Sequence, residues 1–371
     1  MSERTVTIFV TVYNIEKHLE RFFECLKAQT YTDYEVLMID DGSTDNSLAV
    51  CRQYADADDR IRVISVDHMG ISAARNLAFE NLRTPFATSL DGDDYFDKDY
   101  LKHLMDAEEE TGADMVLSNV IYVYEDGREK ERFVFRPAGR YSREDFEALL
   151  PELLDENRLN FLYAKLYKTA LLKDVRVEPD VMQGSDTMIN FMVLNKAQSI
   201  AVTEDYDYSY VQYKKRSVTS YMGADYFSRL YRINRFLLDK TAEYGFLNDE
   251  MLRVIDGRIL HIGRTALSRI AQSSDSLSNR YKRASEVVNS EEYLLSYHRQ
   301  EERGNLPLFR ERYRYEPIAP GREKQYIDHV LKVRRDAEKS SRIRRLREKC
   351  PDGIFRIWHG MKMKLGIARK E

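Results

Sequence analysis

The feature that most constrains the fold is the alternation of short β-branched runs with helical segments through the first ~120 residues. Residues 6–12, Val6-Thr7-Ile8-Phe9-Val10-Thr11-Val12, form a bounded apolar run that reads as a buried strand. Leu19, Phe22, Phe23 and Leu26 then recur at helical spacing. Residues 35–40 read as a second strand. It runs into Asp41-Gly42-Ser43-Thr44-Asp45, a turn that supplies an N-cap for the next helix. Residues 61–65 and 86–90 read as the third and fourth strands, with a helix over 72–82 between them and a fifth strand at 115–117. Strands alternating with helices of this length imply crossover connections and an α/β fold with a mostly parallel, Rossmann-like sheet flanked by helices.

After Asn119 the pattern changes. Residues 121–124 and 132–135 flank Glu125-Asp126-Gly127-Arg128 and read as a hairpin, followed by a helix near 143–156. From about Tyr221 onward the signals are mainly helical. Phe227, Leu230, Tyr231, Asn234 and Leu238 form one stripe, and Leu252, Ile255, Ile259 and Ile262 another, as expected of a helical core. Pro317-Ile318-Ala319-Pro320-Gly321 breaks this region before a basic tail. The expected organisation is therefore a catalytic domain over 1–220, a helical accessory domain over 221–331 and a basic amphipathic tail over 332–371.

At 371 residues, with 43% hydrophobic and 32% charged side chains, the chain can bury a large core. No apolar run approaches the ~20 residues needed to cross a bilayer, and Ser2-Glu3-Arg4 leads into the first strand without a leader-like segment. Cys25, Cys51 and Cys350 are far apart, which suits a reducing cytoplasm better than a disulfide framework. The tail from Lys332 holds 14 Lys/Arg against 5 Asp/Glu, so the first 331 residues carry a net −13 within a chain of net −4. An acidic body argues against a nucleic-acid partner. The tail, with Trp358 among Ile354, Phe355, Ile357, Met361 and Leu365, suits peripheral attachment to the inner face of an anionic membrane, or else a solvated terminal helix. The helical region would serve as a homo-oligomer interface or as an accessory bundle.

In an open parallel sheet, ligands bind beyond the carboxyl ends of the strands. Those ends here are Tyr13-Asn14, Asp40-Asp41, Asp67-His68 and Asp91-Gly92-Asp93-Asp94, so carboxylates converge on one rim. An acidic rim repels a bare phosphate, and a divalent cation bridges the two. In Gly70-Ile71-Ser72-Ala73-Ala74-Arg75-Asn76, a helix N-terminus and a guanidinium offer donors to an anion.

Four motifs then appear in order: Thr11-Val12-Tyr13-Asn14, Asp40-Asp41-Gly42-Ser43-Thr44-Asp45-Asn46-Ser47, the Gly70–Asn76 segment and Leu90-Asp91-Gly92-Asp93-Asp94-Tyr95. Together they resemble those of the family-2 glycosyltransferases with the GT-A fold, a large group of inverting bacterial enzymes; the resemblance covers roughly residues 5–220. It implies transfer of a sugar from a nucleotide-sugar, UDP-linked by preference, to the hydroxyl of a glycan, lipid-linked or polyol-phosphate acceptor in cell-surface polysaccharide, teichoic acid or glycoprotein synthesis.

The same resemblance implies the residue roles. Thr11, Val12 and Tyr13 would line the nucleobase, Asp41 would meet the uracil imide, and His68 would stand near the base. Arg75 would contact the diphosphate or the acidic rim. Asp91, with Gly92, would reach the ribose or sugar, and Asp93, with Asp91 or Asp94, would hold Mn²⁺ or Mg²⁺. Ala164-Lys165-Leu166-Tyr167-Lys168 is similar to the strand before the acceptor site, and Asp186 would be the catalytic base. Lys215 or Arg216 would meet the diphosphate. Two positions depart from the pattern: Thr11 replaces a usual Pro, and Ser185 a usual Glu. The alternatives are a degenerate sugar-nucleotide-binding scaffold or a nucleotidyltransferase. The second usually needs a Gly-rich, Lys/Arg-bearing loop after the first strand, which Thr11-Val12-Tyr13-Asn14-Ile15-Glu16 is not.

Overall fold

Seven consecutive residues of the first strand, β1 (Val6–Val12), are almost wholly buried, because both edges of β1 are paired and both faces are covered. A computed structural model describes residues 4–213, 226–306 and 317–332. The chain divides into two compact units, Met1–Arg258 and Ile259–Glu371.

In the first unit β1 lies between two parallel neighbours, β2 (Tyr34–Asp41) and β4 (Phe86–Ser89), and β3 (Ile61–Val66) pairs parallel with β2. Three helices connect these strands: α1 (Glu16–Lys27), α2 (Ser47–Ala57) and α3 (Ile71–Glu80). The apolar face of α1, made by Leu19, Phe22, Phe23 and Leu26, is buried, and Phe79 of α3 meets Phe9 edge-on with ring centroids 5.5 Å apart. Beyond β4 come a two-residue strand, β5 (Tyr95–Phe96), α4 (Tyr100–Thr111) and β6 (Met115–Leu117). Gly112 closes α4 in the left-handed conformation, where an L side chain would be strained.

The expected hairpin is present as β7 (Val120–Tyr124) and β8 (Glu129–Phe133), with its second strand shifted towards the turn. Next come β9 (Gly139–Ser142) and α5 (Arg143–Asp155), the latter started by a reciprocal cap between Ser142 and Asp145. β10 (Lys165–Lys168), α6 (Ser185–Lys196), β11 (Ser199–Val202) and β12 (Tyr208–Gln212) follow. The large sheet has the order β3-β2-β1-β4-β10-β6-β11-β9. It is parallel apart from β10 and β9, which run antiparallel to their neighbours. A smaller sheet, β5-β12-β7-β8, stands beside it.

Helix α7 (Tyr226–Glu243) packs on α6, so the unit that holds the sheet runs on to Arg258, within α8 (Asp249–Gln272), past the boundary expected near residue 220. Its buried face is made by Ile233, Asn234, Leu237 and Thr241, whereas Phe227, Leu230, Tyr231 and Leu238 are only half-buried. The stripe is rotated from the expected one because Ile233 must reach Gly184 at the start of α6.

In the second unit the later turns of α8 bury Ile259, Leu260, Leu267 and Ala271, α9 (Leu277–Val288) buries Ala284 and Val288, and α10 (Glu291–Glu302) buries Tyr293. The serines Ser276 and Ser290 cap α9 and α10. The Tyr293 hydroxyl bonds both the carbonyl (3.0 Å) and the amide (3.1 Å) of Ile318. Among the described residues no helix is long and apolar enough to cross a membrane.

Candidate active site at the strand ends

The parallel register brings the carboxyl ends of β1, β2, β3 and β4 to one rim, and the loops that leave them are hydrogen-bonded to each other. Asn14, at a left-handed φ of 55°, accepts bonds from the amides of Thr44 (2.7 Å) and Asp45 (3.3 Å). Ser47 Oγ and Asp45 Oδ2 accept from the amides of Ile15 and Glu16 at the start of α1. These contacts satisfy amides that a helix N-terminus otherwise leaves open.

Asp41 is buried, and its carboxylate accepts from the amides of Met69 (2.7 Å) and Gly70 (3.0 Å). His68 Nδ1 lies 2.9 Å from Asp41 Oδ2. The His68 ring stacks on that of Tyr13 at 4.2 Å, and Tyr13 is 44% exposed. Gly42 permits this approach, since a Cβ there would lie 2.5 Å from the His68 amide nitrogen. Tyr13, Asp41 and His68 thus form one cluster with an exposed aromatic top. Thr11 and Val12 are the last two residues of β1 beneath it.

The polar face of α3 holds a different partner from the one its motif suggested. Ser72 Oγ donates to the Val181 carbonyl, Asn76 exchanges two bonds with Val177, and Arg75 Nη1 donates to Ser185 Oγ (2.7 Å) and to Asp186 Oδ1. Residues 72, 75 and 76 share one helix face, and all three secure residues 177–186. Arg75 is buried and bonded to Asp186 and Ser185, not to Asp91 or Asp93. Asp186 sits in the first turn of α6 with its side chain 23% exposed. Its Oδ2 takes no hydrogen bond among the described residues.

The acidic run splits by environment. Asp94 is buried and accepts from the Tyr208 hydroxyl (2.7 Å) and the Val211 amide (2.8 Å), so its carboxylate is committed to joining the two sheets. Asp91 and Asp93 are half-buried, and no side chain among the described residues bonds their carboxylates. Burial, then the neighbouring Asp93 charge, pushes Asp91 up to about 7, and burial raises Asp93 as well. Two unpaired carboxylates raised in this way fit a hard divalent cation, which would replace the missing positive charge. Lys215 and Arg216 lie outside the described residues.

The model of the family described as "Glycosyl transferase family 2" matches residues 7–175, the stretch that contains all of the rim except Asp186. The chain carries a family-2 glycosyltransferase domain. Two curated relatives show the extent of the likeness. Glycosyltransferase GlyA of Streptococcus pneumoniae is 28% identical over 213 residues, covering 55% of this chain and 30% of GlyA. The poly(ribitol-phosphate) beta-glucosyltransferase of Bacillus spizizenii is 27% identical over 215 residues, covering 56% of this chain and 32% of that protein. The chain thus spans about a third of the length of either. Among solved structures, S. aureus TarS 1-349 in complex with UDP-GlcNAc superposes with a TM-score of 0.56 at 19% identity, over 81% of this chain and 92% of that one. The fold is the α/β GT-A type followed by a helical C-terminal region.

Three residues at the rim, His18, Arg21 and Tyr213, carried no sequence signal. Arg21 and His18 lie on the polar face of α1, and Tyr213 follows β12; all three gather at Asp93. Lys165 is fully buried. Its ammonium donates to the carbonyls of Phe161 (2.7 Å) and Tyr163 (3.3 Å), and burial holds it well below its ordinary pKa. The segment it secures presents Tyr163, which stacks on Tyr208 at 4.5 Å. A second group, His103 with Asp205 and Asp207, holds its possible ligand atoms within 4.8 Å of one another. Burial alone would lower His103, but the hydrogen bond it gives to Asp207 (2.8 Å) and the charge of that carboxylate raise it, so the two acids face a histidine that favours its charged form.

Proposed function

We propose that this chain is an inverting glycosyltransferase that moves a sugar from a UDP-sugar to an acceptor hydroxyl of a cell-surface glycan or polyol phosphate. The single observation that supports this best is the division of labour on one rim: free carboxylates at Asp91 and Asp93, an exposed Tyr13–His68 stack, and an Arg75-bonded Asp186. TarS was solved with UDP-GlcNAc, and the Bacillus spizizenii relative is named for a poly(ribitol-phosphate) acceptor; both favour this donor and acceptor class.

In this reading the uracil stacks on Tyr13 and His68 over Thr11 and Val12. Asp41 holds the 68–70 loop and has lone pairs left for the imide. Asp91 and Asp93 hold Mn²⁺ or Mg²⁺, which supplies positive charge for the departing diphosphate. An acceptor hydroxyl has a high pKa, so a carboxylate must take its proton as it attacks the anomeric carbon. Arg75 and Ser185 occupy Asp186 Oδ1 and leave Oδ2 for that proton. Displacement from the side opposite the leaving group inverts the configuration. Residues 1–220 make the catalytic domain, 221–331 an accessory region, and the tail over 332–371, outside the described residues apart from Lys332, the membrane contact. The test is hydrolysis of UDP-, GDP- and CDP-sugars with and without Mn²⁺. Metal-dependent release of UDP is expected, and no turnover of any nucleotide-sugar would refute the enzyme reading in favour of a scaffold.

A further inference from the structure

The turn over Asp91-Gly92-Asp93-Asp94 is secured at every residue, yet two carboxylates in it stay free. The Asp91 amide donates to the Tyr208 hydroxyl (3.2 Å), and the same hydroxyl donates to Asp94. Gly92 abuts the start of α1: a Cβ there would lie 2.6 Å from Ile15 Cδ1. The Asp93 carbonyl accepts from two donors, Arg21 Nη2 and the Tyr213 hydroxyl at 2.6 Å.

Arg21 is unusual in what it bonds. Its guanidinium is half-buried, its Nη1 donates to the Tyr95 hydroxyl (2.9 Å), and its Nη2 also reaches the Tyr213 hydroxyl (3.1 Å). Its Cζ lies 3.8 Å from the centre of the Tyr95 ring. Among the described residues it forms no ion pair. A cation withdrawn from water and given only neutral oxygens is normally unfavourable. Here it faces Asp93 from the backbone side and contributes positive charge that favours the ionised carboxylate. His18 Nδ1 stands 3.2 Å from the Tyr213 hydroxyl and completes the group.

We infer that Arg21 and Tyr213 are positioning residues for the divalent cation: converging on one carbonyl, they fix the turn so that the Asp91 and Asp93 carboxylates meet at a single ion. This rests on the metal role given to Asp91 and Asp93 above. Ligand-orienting partners of this kind typically change metal affinity about 10- to 100-fold when removed. Because α1 starts in the loop beneath Tyr13, the same helix sets the distance between the nucleobase cluster and the metal turn.

The test is titration of Mn²⁺ into the full chain in the presence of UDP, by calorimetry or by the loss of the free-Mn²⁺ paramagnetic signal. Wild type, Arg21→Met, Tyr213→Phe and the double variant are compared, and the temperature of unfolding of each is recorded. The Mn²⁺ Kd is expected to weaken about 10-fold or more for Arg21→Met and several-fold for Tyr213→Phe. The double variant should be weaker by less than the product, because both groups hold the same carbonyl. Metal-free UDP binding should stay within about twofold, and saturating Mn²⁺ should restore most of the turnover. Tyr213→Phe keeps the ring, so it decides the matter if Arg21→Met unfolds. Unchanged Mn²⁺ affinity in folded variants would overturn the positioning role while leaving the site intact. A wild-type chain that binds no Mn²⁺ would overturn the metal assignment itself.

Discussion

Gly184 is the residue through which α7 bears on the candidate base, and its replacement by Ala has a calculable cost. Gly184 stands immediately before Ser185 and Asp186 at a φ of 79°, and an added Cβ would lie 2.1 Å from Ile233 Cδ1 and 2.9 Å from Cγ1. The left-handed conformation costs an L residue about 1–2 kcal/mol. Forcing a methyl into the packed Ile233 side chain costs about 1–3 kcal/mol more. Gly184→Ala should therefore destabilise the protein by about 2–5 kcal/mol, read from urea denaturation with the slope unchanged. In an Ile233→Ala background the steric part vanishes and only the conformational part, about 1–2 kcal/mol, should remain. That predicts a coupling of about 1–3 kcal/mol between two residues 49 positions apart. Strictly additive effects, or a single variant as stable as wild type, would refute the contact and with it the packing of α7 on the turn that precedes Asp186.

Other substitutions separate chemistry from support. Asp186→Asn should lower transfer by about 100-fold or more while UDP binding is kept, and a near-normal rate would remove Asp186 from the role of base. Asp114 reports on pH. Although burial works to raise it, the Gln198 amide (2.7 Å) and the Lys168 ammonium (3.0 Å) hold it below the usual carboxylate range. The folded state thus favours the ionised form, so its contribution is complete above the ordinary carboxylate value and is lost as pH falls through the lower folded value. Asp114→Asn should cost about 1 kcal/mol at pH 7 and less on acidification; a stability gap independent of pH would contradict this. Removal of residues 340–371 should abolish co-sedimentation with anionic liposomes, since each basic residue near such a surface contributes about 1 kcal/mol. Equal partitioning of both forms would count against a membrane role for the tail.

Much of the first unit was legible in the sequence. The runs at residues 6–12 and 115–117 became β1 and β6 without change, because a bounded β-branched run has few other uses. The two-residue β5 was not legible, since Tyr95 and Phe96 pair only because β12 arrives from more than 100 residues away. The contact of α7 with α6 was not legible for a related reason: composition turns helical near residue 220, and nothing local says that the first of those helices packs back on α6.

The rim itself follows from the sequence. Parallel connectivity places every strand's carboxyl end on one side, so Tyr13, Asp41, His68 and Asp91 had to be neighbours. Which acids are free and which are spent could not follow. Asp93 and Asp94 are adjacent and chemically identical, yet Asp94 is consumed by Tyr208 and Val211 while Asp93 is held only by its backbone. Likewise Arg75, one turn into a helix that suggested an anion site, is turned towards Asp186, 111 residues on. Local periodicity determines which elements form and where their ends lie. Partners this far apart are chosen by packing, and only the tertiary structure decided them.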